Sequence, residues 1–285
     1  MKEHNVFRVH FSDRSKVARF ISSSVYTHKH LDWREPTDWL GKQPFLMYGS
    51  KGRNIEALFS CTSEQMDVYW LRLFSFNQSH LMVRFWEELF QTALKEILNE
   101  KKNPTFASLA YHHWMIDLLK IQRWQNCQQV IQLKWGSNPD ILGSPKPKSP
   151  ISLRKMRRGE IAKIYEIDSA CFDPIWQHSK SALERAYDQA AYATVAIYNQ
   201  EIVGYQISTL AKDNAHLARL AVLPQYQHQH IGQYLVINQL QYFTDKGIDN
   251  LTVNTQHDNL SSINLYKKLG YKKEERSFPI FIKEI

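Results

Sequence analysis

The chain has 285 residues, 43% of them hydrophobic and 13% aromatic. That composition excludes a disordered polypeptide, and the length suits two compact domains of about 140 residues better than one. The formal charge of +8 is dispersed except for a basic stretch from Lys146 to Arg158, so a solvated linker is expected there rather than a nucleic-acid surface.

The three cysteines (Cys61, Cys127, Cys171) share no metal-ligand spacing. They point to a reducing compartment, without a disulfide framework and without a metal site. The opening MKEHNVFRVHF lacks the apolar core of a signal peptide, and no run reaches the length of a membrane span. A soluble, cytoplasmic protein is expected.

In chain order, KHLDWREPTDWLG carries Trp33 and Trp39, which either reach a ligand cleft or staple the core of their own domain. Residues 68–78 (VYWLRLFSFNQ) form an apolar strand, and residues 81–98 (LMVRFWEELFQTALKEIL) have the pattern of an amphipathic helix. Residues 137–150 (SNPDILGSPKPKSP) hold Pro139, Pro145, Pro147 and Pro150, which remove backbone donors and stiffen the chain. The expected domains are therefore residues 1–136 and 151–285, joined by a linker at 137–150.

In the second half, ISLRKM predicts a short strand, and residues 158–190 predict helix interrupted at Asp173-Pro174. Residues 193–198 and 202–209 alternate in polarity around Asn199-Gln200-Glu201, the signature of a hairpin. A strand at 216–222, a helix at 232–245, a strand at 251–255, a helix at 260–269 and a last strand at 278–283 follow. Gly270 stands where a left-handed helix end is wanted. The fold class is mixed α/β, with an open sheet in each half.

The halves repeat one another. Arg72-Leu73 and Arg219-Leu220 lie 147 residues apart, and the same spacing relates Ile55 to Ile202, Ile116 to Ile263 and Trp124 to Tyr271. Near the start, VARFI and IAKIY match at a spacing of 144. A register kept over half a domain implies a tandem duplication.

Two segments carry chemistry. LARLAVLPQYQHQHIGQYL, residues 217–235, runs from an apolar strand through a polar loop straight into a helix. The amides at such a helix start form an anion site, aided by the helix dipole. LTVNTQHDNLSSINLYKKLGYKKEER, residues 251–276, puts Asn259 at a strand end and Tyr266 seven residues later, ahead of Gly270 and Tyr271. Together the segments resemble the GNAT superfamily of N-acetyltransferases over about 135 residues, a fraction that marks the second expected domain. The family signature Q/R-x-x-G-x-G/A reads here Gln227-His228-Gln229-His230-Ile231-Gly232, with His230 in place of the first glycine.

The resemblance implies acetyl-CoA as co-substrate. Its pyrophosphate would lie at Gln227, His228, Gln229, His230, Ile231, Gly232 and Gln233. Its pantetheine arm would lie along the strand backbone at Leu220, Ala221 and Val222 and against Asn259 and Ser262. Tyr266 would be the catalytic acid that protonates the departing thiolate. The acceptor would be a primary amine: a peptide N-terminus, a lysine or a small amine. The segment DSACFDPIW, residues 168–176, further resembles the ribosomal-protein alanine acetyltransferase branch, in which it shapes the acceptor side.

The matching position for that branch's basic Glu is Asn254, which cannot accept a proton. His216, His257, Glu201 or a water chain remain as substitutes. In the first half the 147 spacing sets Leu119 against Tyr266, Arg123 against Gly270, His112 against Asn259 and Phe85 against Gly232. A degenerate, non-catalytic copy of the fold is expected there. The competing reading for the whole chain is a regulatory module that binds acyl-CoA without catalysis. The tandem would act as a pseudo-dimeric monomer or as a homodimer.

Overall fold

The computed structural model describes residues 5–50, 54–63, 68–136 and 150–285; most of the expected linker, 137–149, lies outside the described residues. The chain divides into two compact units, one of residues 1–127 with 279–285 and the other of residues 128–278.

The first unit contains β1 (Val6–Arg8), α1 (Arg14–Ser23), β2 (Tyr26–Lys29), β3 (Phe45–Ser50), β4 (Asn54–Thr62), β5 (Val68–Phe76), α2 (Met82–Leu98), β6 (Thr105–Leu109), α3 (His113–Ile121) and the start of β7 (Gln125–Trp135). Strands β1, β3, β4 and β5 pair antiparallel in that order, and β6 joins β5 in parallel at Val68↔Thr105 to Trp70↔Ala107. Nearly every residue of β5 is buried, which suits a strand covered on both faces. The core is aromatic: Phe59, Phe74, Phe85, Trp86, Phe90, Phe106 and Trp124 pack together, with the Trp86 and Phe90 rings stacked at 5.6 Å. Trp39 belongs to a second cluster and is only 1% exposed, so it is a core residue and does not reach toward a ligand.

The second unit contains the rest of β7, then β8 (Ile151–Lys155), α4 (Ile161–Cys171), α5 (Lys180–Asp188), β9 (Tyr192–Tyr198), β10 (Glu201–Ala211), β11 (Asn214–Val222), α6 (Ile231–Thr244), β12 (Asn250–Gln256), α7 (Leu260–Lys268) and the start of β13 (Tyr271–Glu284). The expected hairpin is β9–β10, turning on Asn199 and Gln200 in left-handed conformations. Its core joins Leu217, Leu240, Phe243, Val253, Ile263 and Tyr266 with Ile131, Leu133 and Trp135 of β7.

The units differ from the expected domains at both ends. Residues 130–134 of β7 pair antiparallel with β12 (Val130↔Gln256 to Lys134↔Thr252), in the second unit. The end of β13 pairs antiparallel with β6 (Ile280↔Leu109 to Glu284↔Thr105), in the first. Each unit thus takes a strand from the opposite half of the sequence. Linear order alone does not reveal this, because the alternation of a strand marks its buried face and not its partner.

The repeat is visible in the backbone. Helices α3 and α7 are both nine residues long and start 147 residues apart, at His113 and Leu260. Each is followed by a left-handed residue, Arg123 at φ 58° and Gly270 at φ 82°. The geometry outlived the glycine: Arg123 holds a conformation that costs a non-glycine residue about 1–2 kcal/mol.

Candidate active site

The candidate site lies in the second unit, where β11 parts from β12. The two strands pair in parallel from Asn214↔Asn250 to Leu217↔Val253 and no further. Between Ser208 and Ile207 the β10 register skips Ala218, a bulge that twists β11 away from its neighbour. Beyond it, Leu220 and Val222 pair only with β10, opposite Gln206 and Gly204. The Leu223 amide donates to the Val203 carbonyl at 2.9 Å, so by the alternation of backbone groups those of Leu220 and Val222 face the open edge and those of Ala221 face β10. On the open edge the Val222 carbonyl accepts from the Gln227 side chain at 2.9 Å and from the Cys171 thiol at 3.2 Å. Burial pushes that thiol up to about 11, so it stays protonated as a donor.

The loop after β11 leads through Gln227, His228 and Gln229, all exposed, into α6. His228 and His230 both have φ 61°, and His230 is the N-cap of α6. The histidine in place of the family glycine therefore takes the left-handed backbone that glycine would supply. The His230 side chain does not cap the amides of the first turn; its ring meets the Gln233 side chain at 3.1 Å instead. Ile231 is buried and anchors the turn. A Cβ on Gly232 would stand 3.4 Å from Leu265 of α7 and 3.9 Å from Val222, ordinary contact distances that place the helix start beside α7 and the strand end. His230→Gly should release strain and raise stability by up to about 1 kcal/mol, measurable as a higher Tm in calorimetry. A lower Tm would show that the contact with Gln233 outweighs the strain.

Helix α7 supplies the other wall. Asn259 is its N-cap, and its side-chain oxygen accepts from the Ser262 amide at 3.1 Å. The cap uses the oxygen and leaves the amide nitrogen for another acceptor. Tyr266 is 4% exposed, with its ring 5.6 Å from that of Tyr271. Burial pushes its hydroxyl well above the ordinary tyrosine range, so it holds its proton at any physiological pH.

None of the candidate bases shares a hydrogen bond with Tyr266 among the described residues. His216 lies on the paired part of β11, its Nδ1 2.9 Å from the Thr252 hydroxyl, and burial lowers its pKa to about 4. It is neutral at pH 7. His257 is exposed, with Nδ1 3.4 Å from the Gln129 amide, and Glu201 is exposed at the start of β10. Asn254 accepts from Gln132 of β7 at 3.3 Å.

A buried ion pair supports the open edge; its residues lie in the segments 168–176 and 217–235, which assign neither of them a role. Asp168 of α4 is 0% exposed and receives two hydrogen bonds from Arg219 of β11, at 2.7 and 2.8 Å. It also accepts from the Tyr205 hydroxyl and from the His178 amide. Burial alone would raise the Asp168 pKa; the charge and hydrogen bonds of Arg219 outweigh it and hold the carboxylate below its ordinary value. Arg219 further donates to the Trp176 carbonyl at 2.8 Å and lies 3.4 Å over the Phe172 ring. One guanidinium thus fixes the segment after α4 against the strand that carries the open edge. The signal was a lone arginine in the apolar run LARLAV and a lone aspartate in IYEIDSACF.

Histidine burial also sets an acid limit. His216 and, in the first unit, His28 (lowered by burial to about 3) are harder to protonate folded than unfolded. The unfolded chain binds more protons below about pH 6.5. The stability these residues contribute is complete above that pH and lost as pH falls toward 4 and 3. Urea midpoints measured from pH 7 to pH 4 should fall by amounts that His216→Asn reduces.

The model of the Acetyltransferase (GNAT) family matches residues 161–271. A Bacillus subtilis (strain 168) protein, whose name assigns it provisionally as a ribosomal protein bS18-alanine N-acetyltransferase, is 25% identical over 123 residues, 43% of this chain and 82% of its own. The ribosomal protein bS18-alanine N-acetyltransferase of Haemophilus influenzae is 26% identical over 114 residues, 40% of this chain and 76% of its own. In fold, a tandem GNAT protein from the clavulanic acid biosynthesis pathway aligns over 98% of both chains, with TM-score 0.64 and 11% identity. Residues 161–271 are accordingly a GNAT-family acetyltransferase domain, and the chain is an acyltransferase built as a tandem of two GNAT-like folds.

Proposed function

We propose that the second unit transfers an acetyl group from acetyl-CoA to a primary amine by direct attack, with Tyr266 as general acid. The observation that carries this reading is the open edge of β11 at Leu220 and Val222, placed between the start of α6 and the helix that holds Tyr266. The edge-facing amides of Leu220 and Val222 and the Leu220 carbonyl are suited to the amide groups of a pantetheine arm, while the Val222 carbonyl is held by Gln227 and Cys171. The first turn of α6, which the His230 side chain does not cap, suits the pyrophosphate.

In the reaction the amine nitrogen bonds to the thioester carbonyl carbon, and the carbon–sulfur bond breaks. The Val222 amide, on the open edge, is placed to stabilise charge on the carbonyl oxygen. The sulfur takes the Tyr266 proton, and the phenolate regains one from the acylated nitrogen through water. A hydroxyl with a raised pKa is still a competent donor here, because the same apolar surroundings raise the proton affinity of the thiolate. A water chain serves as base in this scheme, since no described carboxylate or imidazole bonds to Tyr266.

The two bacterial relatives are named for the alanine of a ribosomal protein, which favours a protein N-terminus as acceptor. Thiol release from acetyl-CoA should be measured with peptides bearing a free N-terminal alanine, N-acetylated lysine peptides, a polyamine and an amino-sugar. Turnover with free N-termini and none with the blocked peptides supports the reading. Asn254, where the branch has a glutamate, favours a second reading: binding of acyl-CoA without turnover. Saturable acetyl-CoA binding with no thiol release against any amine would establish it.

A further inference from the structure

We infer that the first unit is closed to acetyl-CoA because its own strand β2 occupies the edge that the second unit leaves open. The inference rests on the reading of the β11 edge as the pantetheine site. At the 147-residue spacing, Leu73 of β5 matches Leu220, and Ser75 matches Val222. In the second unit those residues pair with β10 alone.

In the first unit β5 parts from β6 in the same manner: parallel pairing ends at Trp70↔Ala107. Yet residues 73–76 have a partner on each side. Strand β4 pairs with them at Ser60↔Leu73 to Ala57↔Phe76, and β2 pairs with them at Lys29↔Leu73 to Tyr26↔Phe76. The chain has supplied the hydrogen-bonding strand that a cofactor arm would otherwise supply.

Strand β2 is pinned along its length. Just before it, the Val25 amide donates to the Asn77 side chain at 2.9 Å. Tyr26 stacks on Phe76 with centroids 5.0 Å apart and planes 7° apart. The Thr27 and Ser75 hydroxyls meet at 2.8 Å. At the far end Tyr111 both accepts from the Lys29 amide at 3.0 Å and donates to its carbonyl at 2.9 Å. His28, between these, is 0% exposed. The phosphate end is closed as well: Phe85, in the position of Gly232, is fully buried against Phe76 and Tyr48. Unzipping four paired residues to admit a ligand forfeits their hydrogen bonds and this packing together, so CoA has no foothold to begin from.

Hydrogen–deuterium exchange on the full chain, with and without CoA, tests this together with calorimetric stoichiometry. The amides of residues 73–76 that face β2 should exchange slowly without CoA and be unchanged by it. Residues 220–222 and 228–233 should slow when CoA is added, at one CoA per chain. Tyr111→Phe, which removes both hydrogen bonds to Lys29, should speed exchange at 73–76 several-fold. Fast exchange at 73–76 in the free protein, protection of 73–76 by CoA, a stoichiometry of two, or no effect of Tyr111→Phe would each overturn the inference. If CoA binds nowhere, the reading of the β11 edge fails, and slow exchange at 73–76 together with its release in Tyr111→Phe still upholds β2 as the strand that closes the first unit.

Discussion

Replacing Tyr266 by phenylalanine is expected to lower kcat about a hundredfold or more while leaving the KM for acetyl-CoA within about twofold, since a positioned general acid contributes roughly 10²–10⁴ in rate. The ring packs against Tyr271 in the unit's core, and phenylalanine preserves that packing. Among the described residues the hydroxyl has no hydrogen bond to lose, so thermal stability should hold. The profile of kcat against pH should show no limb from Tyr266 below about pH 10, because burial raises that group above its ordinary range. A variant with unchanged kcat for every active acceptor would remove Tyr266 from the mechanism and leave thiolate departure to solvent.

The second large effect is on folding. Asp168→Ala leaves Arg219, whose side chain is 9% exposed, without its carboxylate. Breaking a buried ion pair on one side costs about 3–5 kcal/mol. Asp168→Asn keeps the shape and some hydrogen bonding, so it should cost less. Urea unfolding of the two variants would rank them. Because Arg219 also holds the Trp176 carbonyl and covers Phe172, the asparagine variant should alter acceptor KM more than that of acetyl-CoA. Equal destabilisation by both variants, each of which removes the charge, would argue that the charge carries the effect and that shape and residual hydrogen bonding contribute little.

The first unit contains the same device. Arg72 pairs with Asp32 at 3.0 Å, both side chains nearly inaccessible, and Arg72 lies 4.2 Å over the Trp39 ring. Both units bury an arginine at the matching position, Arg72 and Arg219, against an aspartate and an aromatic ring, although Asp32 and Trp39 do not fall at the positions of Asp168 and Phe172 in the 147-residue spacing. A buried arginine paired with a carboxylate is thus common to both units.

Much of this was legible in the residues. The Arg-Leu match at Arg72 and Arg219 located the duplication, and the helix expected at 260–269 is α7, although Asn259 is expected as a pantetheine ligand and not as the cap of that helix. Gly270 marked the left-handed turn after α7. Arg123, in the same conformation, could not be read that way, since its side chain gives no hint of positive φ. Trp39 could be placed only once its two flanking arginines, Arg34 and Arg72, were brought together from separate segments. Strand β2 gave no warning either. Four residues, Tyr-Thr-His-Lys, are too few for periodicity to speak, and their role depends on a gap between β5 and β6 that only the folded sheet creates.

The crossing of the last strands has a practical consequence for anyone who wishes to work with the acetyltransferase alone. A fragment cut from the gene at the proline-rich stretch would begin at residue 150 and would lack Ile131, Leu133 and Trp135, together with every backbone partner of β12 on that side. It should be recovered as aggregate, with a raw sheet edge exposed. Co-expression with residues 1–136 should return it to solution. The stretch that keeps the second unit whole starts before the proline-rich segment, at residue 128, and not after it.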